Sequence, residues 1–127
     1  MPLIAETMNA PLSVLIVEDE PLIAMMLEDY LDGLGHSAAG SVDSVEDALA
    51  RIDEGGFDVA IVDVHLRGGE PCWPVADALA ERGLAYLLAT GGHVDRPPER
   101  HAEAPTLPKP YTLENVRAAL EAAANGR

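Results

Sequence analysis

Val-Leu-Ile-Val at residues 14–17 runs directly into Glu18 and Asp19, so a short aliphatic run ends in two carboxylates. The pattern returns at residues 59–62, where Val-Ala-Ile-Val is followed by Asp63. Short runs rich in Val and Ile, each preceding a stretch of helical length, are typical of buried parallel strands. Because parallel strands of one sheet end at the same edge, we expect these three acids to lie close together.

Two later segments repeat this arrangement with other side chains. Tyr-Leu-Leu-Ala at residues 86–89 precedes Thr90, and a weaker run at residues 104–108 precedes Lys109. A further weak strand is expected at residues 37–42. The sequence therefore predicts an α/β domain of five strand-helix units. Open sheets of this class bind their ligands at the carboxyl ends of the strands.

Apolar residues at helical spacing predict the helices of these units. The expected helices lie at residues 21–31, 45–52, 74–82 and 112–124. Ser44 and Thr112 are the expected N-caps of the second and last of these helices, because hydroxyl oxygens accept hydrogen bonds from the first backbone amides.

The interval between Thr90 and Lys109 is too short for a regular unit. It holds 18 residues, 91–108, whereas a helix of ~11, a strand of ~5 and two loops of ~4 residues need about 24. Pro97 and Pro98 lie in its middle and disfavour helix. We expect a shortened or distorted fourth helix, confined to residues 99–103 at most.

Size and charge exclude several classes of protein. The chain has 127 residues, of which 48% are hydrophobic, and 22 acidic against 8 basic residues give a formal charge of −14. Such a field repels nucleic acid and anionic membrane surfaces. We expect an N-terminal arm at residues 1–12, one domain at residues 13–124 and a tail at residues 125–127. One cysteine forms no intrachain disulfide, and a cytoplasmic location is the expectation.

Three clustered carboxylates repel one another unless a cation or a proton intervenes. Oxygen ligands suit Mg²⁺, which prefers one or two carboxylates and retained waters. Asp19 and Asp63 are the candidate direct ligands, the backbone carbonyl of His65 is a possible third, and Glu18 is expected to act through water.

A carboxylate beside such a metal is also a nucleophile toward phosphorus, which gives an aspartyl phosphate. The reaction needs alignment and charge compensation from the protein. Asp63 is the candidate acceptor. Lys109 would pair with one phosphoryl oxygen and the Thr90 hydroxyl with another.

Taken in order, these residues resemble the receiver domain of two-component response regulators. The resemblance rests on Glu18-Asp19, Asp63, Thr90 and Lys109-Pro110, and it spans residues 13–124. It implies a flavodoxin-like doubly wound parallel sheet of order 2-1-3-4-5 and a cis peptide before Pro110. It also implies Mg²⁺-dependent phosphorylation of Asp63 by a sensor histidine kinase or a phosphotransfer protein, with output through an unknown downstream protein.

The segment Leu-Ala-Thr-Gly-Gly at residues 88–92 is similar to the Phe-Ala-Thr-Gly motif of a receiver subfamily. That subfamily consists mostly of stand-alone regulators of alphaproteobacteria, several of which serve general stress signalling. This chain has Leu88 where the subfamily has Phe. The resemblance thus implies a single-domain regulator that is a phosphoprotein and not an enzyme, apart from its own phosphorylation and dephosphorylation.

The output residues depart from the usual receiver pattern. Receivers usually carry an aromatic residue three positions before the lysine, and this chain has Thr106 there. Gly91 and Gly92 make the backbone after Thr90 easy to rearrange. We therefore expect phosphorylation to reorganise residues 91–105 as a whole. Tyr111, which follows Pro110, either packs against the carboxylates or faces a partner.

Other functions remain open at this level. A phosphatase of the haloacid dehalogenase type also uses an aspartate after a strand, but it typically shows Asp-x-Asp, whereas Asp63 is followed by Val64 and His65. A pseudo-receiver, or a phosphate sink without phosphorylation-dependent output, is the further alternative. His36, His93 and His101 are scattered, and we expect them at the surface and not in a zinc site.

Overall fold

The computed structural model describes residues 11–66, 71–90 and 98–125. Within these ranges one sheet contains five strands, which are β1 (Ser13–Val17), β2 (Ser37–Val42), β3 (Val59–Asp63), β4 (Ala85–Thr90) and β5 (Thr106–Pro108). Every pair is parallel, and the strand order is β2-β1-β3-β4-β5. The predicted flavodoxin-like fold is confirmed. Of the expected N-terminal arm, only residues 11–12 are described.

The described residues contain α-helices that follow four of the strands. They are α1 (Pro21–Gly33), α2 (Val45–Glu54), α3 (Trp73–Glu81) and α4 (Leu113–Asn125). The predicted caps are confirmed, since Ser44 Oγ accepts from the Asp47 amide at 3.1 Å and Thr112 Oγ1 from the Asn115 amide at 3.0 Å. In the described ranges, the helices are too short or too polar to cross a bilayer.

Two apolar layers enclose the sheet. One contains α1 and α4 with inward residues such as Ile16 and Ile61, and the other contains α2 and α3 with Leu15 and Val62. Side chains alternate between the faces of a strand, and both faces here are covered. Burial of both faces explains why the strands are continuous aliphatic runs in the sequence. The same packing makes the sheet a rigid support for the residues at the ends of its strands.

The connection between β4 and β5 is described from Pro98 onward. It contains a 3₁₀ helix at Glu99–His101 and no α-helix within residues 98–105, as expected for a truncated fourth helix. β5 begins at Thr106 and not at residue 104, because Pro105 has no N–H to donate to the ladder.

One expectation for this connection is wrong. His101 was expected at the surface, but it is only 1% exposed. Both of its ring nitrogens have hydrogen-bond partners within the protein, which is the condition under which a polar ring is buried without a large penalty.

The Ser44 cap gives a test of the α2 start. Ser44→Ala removes the acceptor for the Asp47 amide, and we expect the free energy of unfolding to fall by about 1 kcal/mol. Urea denaturation measures it. Ser37→Ala, at an exposed position of β2, is the control and should change stability by less than about 0.5 kcal/mol. Equal losses in both variants would contradict the capping role.

Candidate functional site

The carboxylates of Glu18, Asp19 and Asp63 meet at the carboxyl edge of the sheet. Each offers an oxygen within 4.8 Å of the others. The parallel register of β1 and β3 pairs Val17 with Val62, so the residues that follow these two are neighbours. The predicted convergence of the three acids is therefore present in the structure.

Asp63 is the last residue of β3, and its side chain is held from two directions. Lys109 Nζ donates to Oδ2 at 3.0 Å, and the backbone amide of His65 donates to Oδ1 at 3.3 Å. The residue is 6% exposed. The His65 side chain is exposed beside it, and His65 also forms a β-bridge with Pro71. Asp63 is thus a buried carboxylate in a fixed orientation.

Glu18 is more deeply buried than Asp63, and its pKa is perturbed. It is 3% exposed, and burial, followed by the charge of Asp63, raises its pKa to about 7. Lys109 Nζ lies 3.9 Å from Oε1 and lowers the pKa of Glu18 in part. Oε1 also accepts from the Tyr111 hydroxyl at 3.3 Å, and Oε2 accepts from the Glu20 amide at 3.2 Å.

Lys109 supplies the positive charge at this edge. Burial opposes its protonation, but the hydrogen bond and charge of Asp63, with the charge of Glu18, outweigh burial, and the pKa of Lys109 is raised. Its backbone amide donates to the Thr90 carbonyl at 3.0 Å, which fixes β5 beside β4. The Lys109-Pro110 peptide is cis, as the resemblance implied.

Tyr111 packs against the carboxylates. It is buried, its hydroxyl donates to Glu18, and its carbonyl accepts from the Tyr30 hydroxyl of α1 at 3.4 Å. Burial and the charge of Glu18 raise the pKa of Tyr111, so the hydroxyl stays a donor at neutral pH. The sequence left this position open, and only its place directly after Pro110 pointed to the site.

The remaining predicted residues lie on β4 and β5 or are not described. Thr90 ends β4, one position beyond Ala89, which pairs with Asp63. Thr106 is exposed at the start of β5. Gly91 and Gly92 lie outside the described residues, so their expected part in a rearrangement has no structural counterpart here.

The donor set fits a small, hard divalent cation. Three carboxylates, two of them buried, lie near one ammonium, and burial, followed by the charge of Asp63, raises the pKa of Glu18. A cavity of about 280 Å³ opens beside Glu18 and Asp19 and is lined also by Asp43 and Asp47. Oxygen ligands with room for retained waters are what Mg²⁺ requires.

The raised pKa of Glu18 predicts how stability depends on pH. In the unfolded chain the carboxyl ionises near its ordinary pKa of 4.5, but in the folded protein near 7. The folded state therefore loses stability as pH rises from 4.5 to 7. Glu18→Gln removes this loss, so without divalent cations we expect the variant to gain on the order of 1–3 kcal/mol relative to wild type above pH 7.

Urea denaturation between pH 4.5 and 8 in chelator measures this difference. It should shrink toward pH 4.5, where both side chains are uncharged in the folded protein. Glu28→Gln, at an exposed position on α1, is the matched control. A gain for Glu18→Gln that is independent of pH would contradict the prediction.

Residues 14–70 match the family model described as the response regulator receiver domain. The chain is 53% identical to SdrG from Sphingomonas melonis Fr1, whose solution structure it matches with a TM-score of 0.80 over 90% of this chain and 97% of that one. A structure of SdrG in its BeF3-activated conformation matches with a TM-score of 0.76 over 88% and 95% of the two chains, also at 53% identity.

Two curated relatives are longer than this chain. It is 33% identical over 116 residues to the transcriptional regulatory protein TcrA from Mycobacterium tuberculosis, and 29% identical over 113 residues to the phyllosphere-induced regulator PhyR from Methylorubrum extorquens. The matches take in 86% and 87% of this chain but span 44% and 42% of those proteins. A solved structure described as the PhyR stress response regulator is 26% identical, with a TM-score of 0.73 over 97% of this chain and 49% of that one.

The order of the sheet, the match of the family model to a range that contains Glu18 and Asp63, and the nearly complete match to SdrG agree. The chain belongs to the receiver-domain family of response regulators, the signalling domains of two-component systems.

Proposed function

We propose that this protein is a phosphorylation-dependent switch whose acceptor is Asp63. The observation that carries the proposal is the environment of that side chain. Asp63 lies at the carboxyl edge of a rigid sheet beside two other carboxylates, with one oxygen held by Lys109 and the other by a backbone amide. Three acids this close together repel one another, and a Mg²⁺-dependent transfer of a phosphoryl group to one of them accounts for their proximity.

The proposed reaction transfers a phosphoryl group from a phosphohistidine of a kinase or a phosphotransfer protein. One Asp63 oxygen forms the new bond to phosphorus, the P–N bond breaks, and its electron pair returns to the imidazole nitrogen, which takes up a proton. Lys109 stays beside Asp63 and balances charge on the phosphoryl oxygens. The Thr90 hydroxyl, at the end of the adjacent strand, is the proposed donor to another of these oxygens. Catalysis of this kind depends on position and charge.

Asp19 and Asp63 would hold Mg²⁺ directly, with the His65 carbonyl as a third protein ligand and Glu18 acting through water. Bound there, the ion would neutralise charge on the transferring phosphoryl group. Glu18 contributes a buried negative charge whose orientation is set by Tyr111 and the Glu20 amide. Without the cation, that charge is only partly balanced by Lys109.

We further propose that output occurs by protein-protein interaction in the cytoplasm, within general stress signalling. The Leu-Ala-Thr-Gly segment at residues 88–91 and the likeness to SdrG, and to a PhyR described as a stress response regulator, support this. The net charge of −14 favours protein partners over nucleic acid or a membrane surface.

Phosphorylation in vitro tests the acceptor. With acetyl phosphate and Mg²⁺ we expect the intact mass to rise by one phosphoryl group, and Asp63→Asn to abolish the increase, since an amide is not the required nucleophile. Asp58→Asn changes an acid just before β3, at the opposite end of the strand, and should still be labelled. Labelling of Asp63→Asn at the wild-type level would place the acceptor elsewhere.

The same proteins separate the alternative functions. A phosphatase of the haloacid dehalogenase type would turn over a small phosphate ester many times, whereas a receiver is labelled once and then hydrolyses its own acyl phosphate. A pseudo-receiver would show neither phosphorylation by acetyl phosphate nor binding of beryllofluoride.

The Tyr111 hydroxyl has a testable role in metal binding. Tyr111→Phe keeps the buried ring but removes the donor to Glu18 Oε1, which destabilises the charged carboxylate. We expect the affinity for Mg²⁺ to fall about three- to tenfold, measured by titration of the unphosphorylated protein and followed by NMR. Tyr30→Phe removes only the bond to the Tyr111 carbonyl and is the control. Unchanged Mg²⁺ affinity in Tyr111→Phe would show that the hydroxyl does not position Glu18.

A further inference from the structure

The buried His101 takes no part in the carboxylate site, yet it contacts side chains from two other elements. Its Nδ1 lies 2.5 Å from the Tyr86 hydroxyl of β4, and its Nε2 lies 2.7 Å from Asp77 Oδ1 of α3. Its ring also stacks on Trp73, with centroids 6.0 Å apart and planes at 11°. We call these four residues, Trp73, Asp77, Tyr86 and His101, the His101 cluster.

The hydrogen-bond chemistry of the cluster assigns one tautomer. Asp77 as a carboxylate only accepts, so Nε2 of the neutral imidazole carries the proton and donates. Nδ1 is then an acceptor, and the Tyr86 hydroxyl donates to it. Burial, with the charge of Asp77, raises the pKa of Tyr86, which keeps the hydroxyl protonated. Every polar atom of the buried ring is satisfied.

Among the described residues, the His101 cluster supplies the buried side-chain hydrogen bonds that attach residues 98–105 to the rest of the domain. The 3₁₀ helix at Glu99–His101 spans only three residues, and such short helices depend on tertiary contacts. Arg100 also reaches Asp77, at 3.4 Å, but its side chain is 67% exposed, and exposed pairs contribute little. Losing a buried hydrogen-bond partner costs far more.

His101 is connected to the ends of β3 and β4, the two strands that carry Asp63 and Thr90. Trp73 follows Cys72, whose amide donates to the Val64 carbonyl at 3.0 Å, directly after Asp63. Tyr86 lies on β4, and the period of two puts it on the same face as Leu88 and Thr90. Movement of either strand end therefore alters the distance between His101 and one of its partners.

We propose that the His101 cluster holds residues 98–105 against α3 and β4, and that its opening transmits phosphorylation of Asp63 to this segment. The second clause rests on the proposed function, while the first stands on the contacts alone.

Amide hydrogen exchange tests both clauses, on the full chain with and without beryllofluoride and Mg²⁺. His101→Phe removes both hydrogen bonds and keeps a flat ring that can stack on Trp73, and Tyr86→Phe removes one bond with almost no change of shape. Arg100→Gln, which removes the exposed pair to the same Asp77, is the matched control.

Without beryllofluoride we expect exchange in residues 98–105 to be about tenfold faster in His101→Phe, two- to fivefold faster in Tyr86→Phe and unchanged in Arg100→Gln. In wild type, beryllofluoride should accelerate exchange in the same segment, and in His101→Phe it should add little. If His101→Phe does not fold, Tyr86→Phe decides the first clause.

Wild-type exchange rates in both cluster variants would overturn the holding role. The transmitting role would be overturned if, in wild type, beryllofluoride changes the exchange of amides next to Asp63 but leaves exchange in residues 98–105 unchanged. If beryllofluoride changes no exchange rate next to Asp63, the proposed function and the transmitting role are both overturned. The comparison of variants without beryllofluoride would still decide whether the cluster holds the segment.

Discussion

The parallel register between β1 and β3 is the constraint on which the site depends. Val17 pairs with Val62, and the chain leaves both strands at the same edge, so Glu18 and Asp63 are brought together by backbone pairing before any side chain interacts. Burial, and then repulsion from the charge of Asp63, oppose the ionisation of Glu18 and raise its pKa. The two apolar layers that enclose the sheet must offset that repulsion, since Lys109 balances only part of it.

This domain therefore concentrates negative charge at one edge of an otherwise well-packed structure. A cation or a phosphoryl group bound there would change this balance of charge. Close-packed side chains would then transmit a small displacement to their neighbours. Lys109 is central to this balance because it contacts Asp63 through its side chain and Thr90 through its backbone. A change at Asp63 thus reaches the ends of three adjacent strands, β3, β4 and β5.

The sequence was sufficient to predict the strands, the caps at Ser44 and Thr112 and the meeting of the three acids, because aliphatic runs and the residues that follow them are local patterns. The strand order came from the resemblance to receiver domains and not from any local pattern. It was also sufficient to predict the truncated helix, since counting residues between Thr90 and Lys109 is a local test as well. It was insufficient for the Tyr111 bond to Glu18 and for the burial of His101. These depend on partners 93 and 15 to 24 residues away in the chain, and no spacing rule connects them.

The burial of His101 shows how the segment between β4 and β5 is attached to the rest of the domain. A segment without a regular helix offers few backbone hydrogen bonds to hold it, so side chains must hold it instead. A histidine ring suits this task because its two nitrogens form hydrogen bonds in opposite directions, here toward α3 and β4, while the ring stacks on Trp73. Such an attachment is strong when all its bonds are made and weak once one is lost, because the buried partner left behind is then unsatisfied. A contact whose hydrogen bonds depend on one another in this way opens cooperatively, as a switch requires. A continuous apolar contact in the same place would not open in this way.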